Sequence, residues 1–145
     1  MWTSRSAHAI RSARHSRRSV LTQVTIFVCT ACRLGGDVDN RPGQILLERL
    51  HARLPPHERE SVAIEPVECL GVCKRPCTVA LAAEDKWTYV IGDLDAVGDV
   101  DELLASARGF AASENGIVPW KDRPNAFRKG VVSRVPPLAA AKARP

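Results

Sequence analysis

No stretch of the 145 residues approaches the run of about eighteen apolar positions that a membrane-spanning helix needs. No apolar cluster of the kind a secretory signal carries precedes Val20. The chain also lacks a G-x-S-x-G turn, a glycine-rich phosphate loop and a Ser/His/Asp set, which argues against an independent hydrolase. Internal repeats are absent. Acids are missing from residues 1–20, which hold Arg5, Arg11, Arg14, Arg17 and Arg18, a composition expected of a disordered basic tail or, less readily, a transit peptide. Cysteine is sparse and odd in number, five in all, so a disulfide scaffold is not expected. At this length a chain can bury an adequate core without covalent staples. A reducing, cytoplasmic setting and use of the thiols for metal or redox chemistry follow.

Those five cysteines are not scattered as packing residues would be. Cys29 and Cys32 form a C-x-x-C pair directly after the apolar run Val24–Val28, and Cys69, Cys73 and Cys77 follow as C-x3-C-x3-C. Gly71 and Pro76 in the second stretch allow tight bends, so that sulfurs on two loops can converge on one metal centre.

Charge divides the chain in the same way as its patterning. The whole carries +5, residues 1–20 carry +5 and residues 121–145 carry +6, which leaves residues 21–120 at −6. The expected organisation is a basic tail over 1–20, a folded domain over 21–116, and an extended, basic, proline-rich arm over 117–145. In that arm Trp120 and Phe127 are the expected anchors on the domain. Basic termini of this kind are mostly solvated, and neither nucleic acid nor membrane is an expected partner.

Within the domain, Gln23–Val28 reads as a strand buried on both faces. Asn40 and Pro42 open a helix whose Leu46, Leu47, Leu50 and Leu54 share one face, and Pro55-Pro56 stop it. Val62, Ile64 and Val67 mark a second strand, with Pro66 assigning it to a sheet edge. Thr78–Ala82 and Trp87–Ile91 read as a hairpin, with Trp87 and Tyr89 packing on one face. A second helix starts near Val100, with Asp99 and Glu102 as a capping box. Its apolar face is Val100, Leu103, Leu104, Ala107 and Ala111. Two parallel strands joined by a right-handed crossover and extended by a hairpin make a small α/β sandwich. Parallel pairing would bring both cysteine loops to the same end of the sheet.

The order strand-Cys, helix, strand, ECLGVC, hairpin over residues 22–112 resembles the thioredoxin-like 2Fe–2S ferredoxins and the related small iron–sulfur subunit of respiratory NADH dehydrogenase. More closely, the chain is similar to an uncharacterised bacterial family described as predicted metal-binding. That resemblance rests on C-x-x-C-R from Cys29, R-P-G from Arg41, E-C-L-x-x-C-K-R-P-C from Glu68, and W-x-x-R-P-x-x-F-R-K-G from Trp120. It implies a thioredoxin-like (ferredoxin-type) sandwich with a mixed four-stranded sheet and two main helices. It carries the ligand role onto Cys29, Cys69 and Cys73. The ferredoxins place their fourth cysteine near the helix start, where this chain has Pro42-Gly43-Gln44, so Cys32 must substitute. Cys77 then makes the donor set over-complete by one.

The function implied is one-electron transfer by a cysteine-ligated 2Fe–2S cluster to an unknown redox partner protein. An all-thiolate zinc or other thiophilic-metal site with a carrier or regulatory role is the alternative. A third reading, a thiol–disulfide oxidoreductase built on Cys29-Thr30-Ala31-Cys32, is weakened by the roughly ten residues between Cys32 and the helix start, since such thiols need a helix N-terminus. His51 and His57 are expected to be solvent-exposed rather than ligands. Arg33, Lys74 and Arg75 beside the cysteines could balance thiolate charge or dock an acidic partner. Asp93, Asp95, Asp99 and Asp101 are accounted for by loop and cap duties.

Overall fold

The computed structural model describes residues 23–33 and 39–138; the basic tail expected over residues 1–20 and the final residues of the arm lie outside them. Eight elements follow one another: β1 (Val24–Cys29), α1 (Pro42–Arg53), β2 (Val62–Val67), β3 (Val79–Ala82), β4 (Thr88–Ile91), α2 (Val100–Ala112), α3 (Asn125–Gly130) and β5 (Val131–Val135). The sheet runs β2-β1-β3-β4-β5, with β1 and β2 parallel and the other pairs antiparallel. This is the expected mixed α/β architecture, with five strands where four were expected and a third, short helix.

Burial in β1 alternates. Val24, Ile26 and Val28 are fully buried, whereas Thr25 and Phe27 between them are only half-buried. The strand was expected to be buried on both faces; one face takes most of the burial, because α1 and α2 pack there against β1 and against each other. Leu46 and Leu50 carry α1 into that core, and Leu54 closes it where the chain turns out towards Pro55. Pro66 lies in β2, which is an edge strand, where a missing N–H is tolerated.

The capping box expected at α2 does not form. Asp99 makes no cap to the helix; its Oδ2 instead accepts the Asp95 N–H at 2.8 Å. Glu102 reaches away from its own helix, and its Oε2 accepts the Ala126 N–H at 2.6 Å at the start of α3. The carboxylates that the motif needs are drawn off by backbone donors outside the helix. At the other end of α2, the nearly buried Lys86 donates from Nζ to Phe110 O (3.2 Å) and Ala111 O (2.7 Å), placing a cation on the carbonyls of the helix C-terminus. Burial holds the Lys86 ammonium below the usual lysine range.

Residues 117–137, expected as an extended arm packed on the domain, contain the short helix α3 and the strand β5. Val118 and Phe127 enter the core, and β5 pairs with β4 to extend the sheet. Phe127 is an anchor as expected, meeting Tyr89 edge-on at 4.9 Å, but Trp120 is 62% exposed. The polar half of the W-x-x-R-P-x-x-F-R pattern explains the segment's shape. Arg123 donates to Val118 O at 2.7 Å and lies within 5.8 Å of the Tyr89, Trp120 and Phe127 rings. Arg128 donates to Trp120 O and Lys121 O, so the segment's carbonyls are satisfied by its own arginines. Trp87 is half-buried beneath the Arg134 guanidinium, while Tyr89 is fully buried, so the two rings do not share one environment.

Candidate metal centre

Parallel pairing of β1 with β2 puts Cys29 opposite Val67, so both strands deliver their cysteine loops to the same end of the sheet. The join is close. Thr30 N–H donates to Val67 O (2.9 Å), Ala31 N–H to Glu68 O (3.1 Å), and the Thr30 hydroxyl also reaches Val67 O at 3.1 Å. On the opposite side Cys29 N–H donates to Thr78 O at 3.0 Å. The backbone of Cys29 is therefore clasped by both ends of the loop that carries Cys69, Cys73 and Cys77.

Helix α1 closes the third side. A Cβ on Gly43 would collide with the Cys29 carbonyl oxygen and lie 2.9 Å from its carbon, so only glycine lets the helix start seat against the first cysteine. The long sequence interval between Cys32 and the helix is thus misleading: the N-terminal turn of α1 sits on Cys29.

All five thiols are free. Cys29 and Cys32 are buried and in contact, with Cys32 Sγ donating to Cys29 Sγ at 3.1 Å. Burial works against ionisation of Cys29, but the Cys32 thiol and the backbone N–H groups of Leu70, Cys32 and Ala31 outweigh it and hold Cys29 below the ordinary thiol range. Cys32 is pushed the other way, to about 11, by burial and by the charge of its partner. Cys69 and Cys73 are exposed on the second loop. Cys69 Sγ accepts the Gly71 N–H at 3.2 Å, a turn made possible by a left-handed glycine at φ 75°. Cys77 is fully buried in the apolar core, and burial pushes its thiol up to about 12.

Among the described residues no three Cys, His, Asp or Glu side chains converge closely enough to hold a single metal ion. The structure thus brings Cys29 and Cys32 into contact, places Cys69 and Cys73 on the loop bonded to them, and puts Cys77 in the core. His51 and His57 are exposed, in the last turn of α1 and just beyond it, at the other end of the helix from Cys29. Arg75 is occupied by Asp93 (2.7 Å), while Arg33 and Lys74 remain exposed beside the cysteines. Asp95 accepts Val97 and Gly98 N–H, and Asp101 pairs with Arg53, so these carboxylates hold a loop and join two helices. Sequence reasoning missed Gly43; the signal was present, since a glycine in the first turn of an otherwise leucine-rich helix costs stability unless something lies against it.

Comparison with solved structures supports the same architecture. A thioredoxin-like 2Fe–2S ferredoxin from Aquifex aeolicus is similar with a TM-score of 0.55 at 16% identity, over 80% of this chain and 96% of that one. A second structure, of the wild-type thioredoxin-like 2Fe–2S ferredoxin from the same organism at 1.5 Å, gives 0.51 at 19% identity, over 77% and 98%. At such identities the likeness is one of fold. No curated protein matches the chain. Over residues 26–137, from β1 through β5, the sequence matches a family model described as a protein of unknown function, and the chain belongs to that family, DUF1636.

Proposed function

We propose that the chain is a metal-binding electron carrier whose Cys29, Cys32, Cys69 and Cys73 hold a 2Fe–2S cluster. The observation that carries this is the clasp at the end of β1: one thiol pair in contact, hydrogen-bonded through its backbone to a loop bearing a second, exposed pair. The donor set suits the group. A two-iron cluster takes its four thiolates as two pairs, whereas zinc needs all four at one point. One pair in contact on one loop, with two further thiols on the neighbouring loop, suits the first demand. Cys77 is left out because its sulfur faces the apolar core, where a thiolate would be costly.

When bound, such a cluster supplies a one-electron couple. The chain's own residues would hold and tune it. The Gly71 N–H already points at Cys69 Sγ, and hydrogen bonds to ligand sulfur raise the potential of a site by easing its negative charge. Gly43 and the Thr78 carbonyl fix Cys29 in place, and the Val67 carbonyl holds Thr30 beside it. Exposed Arg33 and Lys74 flank the loops and would meet an acidic redox partner, with association weakening as salt rises. Free thiols of this kind belong in a reducing compartment, and the cytoplasm is the setting proposed. No helix among the described residues is long and apolar enough to cross a membrane.

Anaerobic purification tests the proposal. Red-brown protein with two irons and two sulfides per chain is expected; colourless protein with one zinc per chain would replace it with the zinc reading.

A further inference from the structure

Two of the proposed ligands carry a second chemistry, which rests on their contact and not on a metal. Cys29 and Cys32 are free, their sulfurs are 3.1 Å apart, and their relative exposures are 1% and 3%. Their loop is held from both sides by the Val67, Glu68 and Thr78 carbonyls, so the two thiols already meet on a backbone that is tied in place. Cys69 and Cys73 are exposed on a separate loop, and Cys77 is enclosed in the core. Burial of the pair discriminates by size: a bulky disulfide such as oxidised glutathione meets the exposed Cys69 and Cys73 first, and an oxidant for the pair must be as small as hydrogen peroxide.

We propose that in the metal-free chain Cys29 and Cys32 are a peroxide-closed disulfide switch, so that oxidation locks the site and reduction opens it to metal. The inference builds on the ligand assignment above, but the disulfide itself does not depend on it. The chemistry balances with hydrogen peroxide as oxidant. One sulfur of the pair, as thiolate, attacks a peroxide oxygen; the S–O bond forms, the O–O bond breaks, and hydroxide leaves and takes up a proton as water. The second sulfur then attacks the first; the S–S bond forms, the S–O bond breaks, and the hydroxyl leaves as water with the second thiol's proton. Two thiols lose two protons and two electrons, and one peroxide becomes two waters.

The test uses the full chain, reduced and stripped of metal with a chelator, then given one equivalent of hydrogen peroxide. Free thiols are alkylated and the peptides mapped by mass spectrometry. The expected product is the Cys29–Cys32 peptide two hydrogens lighter and unalkylated, with Cys69 and Cys73 alkylated. In Cys32→Ser the disulfide is lost and Cys29 is instead trapped as sulfenic acid by dimedone. Oxidised glutathione in place of peroxide is expected to modify Cys69 or Cys73 before the pair. Alkylated Cys29 and Cys32 alongside oxidised Cys69 and Cys73 would overturn the proposal, as would closure of the pair by oxidised glutathione as fast as by peroxide. Iron and zinc uptake before and after a reductant is measured separately. A disulfide that forms in a chain which never takes up metal would retain the peroxide-formed disulfide and discard both the ligand assignment and the gating; metal uptake unaffected by the disulfide would overturn the gating alone.

Discussion

Gly43→Ala sets two effects of known size against each other at the point where α1 meets the cysteine site. Alanine in a helix is worth up to about 1 kcal/mol over glycine, and by propensity alone the change should stabilise. The added Cβ, however, would collide with the Cys29 carbonyl oxygen and stand 2.9 Å and 3.3 Å from Cys29 C and Thr30 Cα. The obstacle is backbone and cannot rotate away, and it is pinned by the ladder to β2 on one side and the bond to Thr78 O on the other. Overpacking against such a wall costs about 2–3 kcal/mol, the upper part of the usual range. The net expectation is a loss of about 1–2 kcal/mol, or a fall in Tm of about 4–8 °C. Gly109→Ala is the control: it lies within α2 with nothing within 4 Å of the new Cβ, so propensity acts alone and Tm should rise. Thermal melts of both variants, with metal content per chain as a second reading, make the comparison. If Gly43→Ala raised Tm as Gly109→Ala does, α1 would not be seated on Cys29 and the description of the site would be wrong.

Other outcomes follow from the same structure. Serine at Cys69 or at Cys73 should abolish metal uptake, measured as metal and sulfide per chain, because a hydroxyl replaces a thiolate. Cys77→Ser should keep the metal but lower Tm, since it buries a hydroxyl in the apolar core at a cost of about 1–3 kcal/mol; complete metal loss there with none at Cys32→Ser would move the ligand set to Cys29, Cys69, Cys73 and Cys77. Phe127→Ala should cost about 3–5 kcal/mol in a denaturant titration, against roughly 0.5 kcal/mol or less for Trp120→Ala, because only the first ring is buried. The Arg53 guanidinium hydrogen-bonded to Asp101 holds that carboxyl below its ordinary value of 3.8, so its stabilising share is complete above that pH and is lost as pH falls through the folded value. Asp101→Asn should therefore flatten part of the acid limb of a Tm-against-pH curve, and an unchanged limb would remove the pair from the account.

What could be read in advance was what one face of a strand or helix announces. The β-branched run before Cys29 and the leucines at 46, 50 and 54 give β1 and α1 almost to the residue, because burial on the helical face imposes its period on the sequence. β5 escaped because it is the opposite case. In Val131-Val132-Ser133-Arg134-Val135 only the first residue is even half-buried, so a strand at the sheet edge carries no core pattern. The capping box failed for a related reason: Asp99 and Glu102 have the right spacing, but Asp95 and Ala126 offer N–H groups that no local motif can foresee.

The cysteine site divides along the same line between local and long-range information. Contact between Cys29 and Cys32 follows from a C-x-x-C turn, and the meeting of the two loops follows from parallel pairing of the strands that precede them. Cys77 could not be separated from its neighbours by spacing, since C-x3-C repeats without change from Cys69 to Cys77. Its fate is decided where the loop ends. Thr78 O takes the Cys29 N–H and Cys77 O takes the Leu94 N–H, so the chain is already committed to the sheet at Cys77, and that sulfur enters the core. Cys69 and Cys73 lie before that commitment, in the turn where Gly71 adopts positive φ, and stay in solvent. Five cysteines thereby divide into a buried pair in contact, two exposed thiols and a core residue. Backbone hydrogen bonds draw that division, and the intervals between the cysteines carry no trace of it.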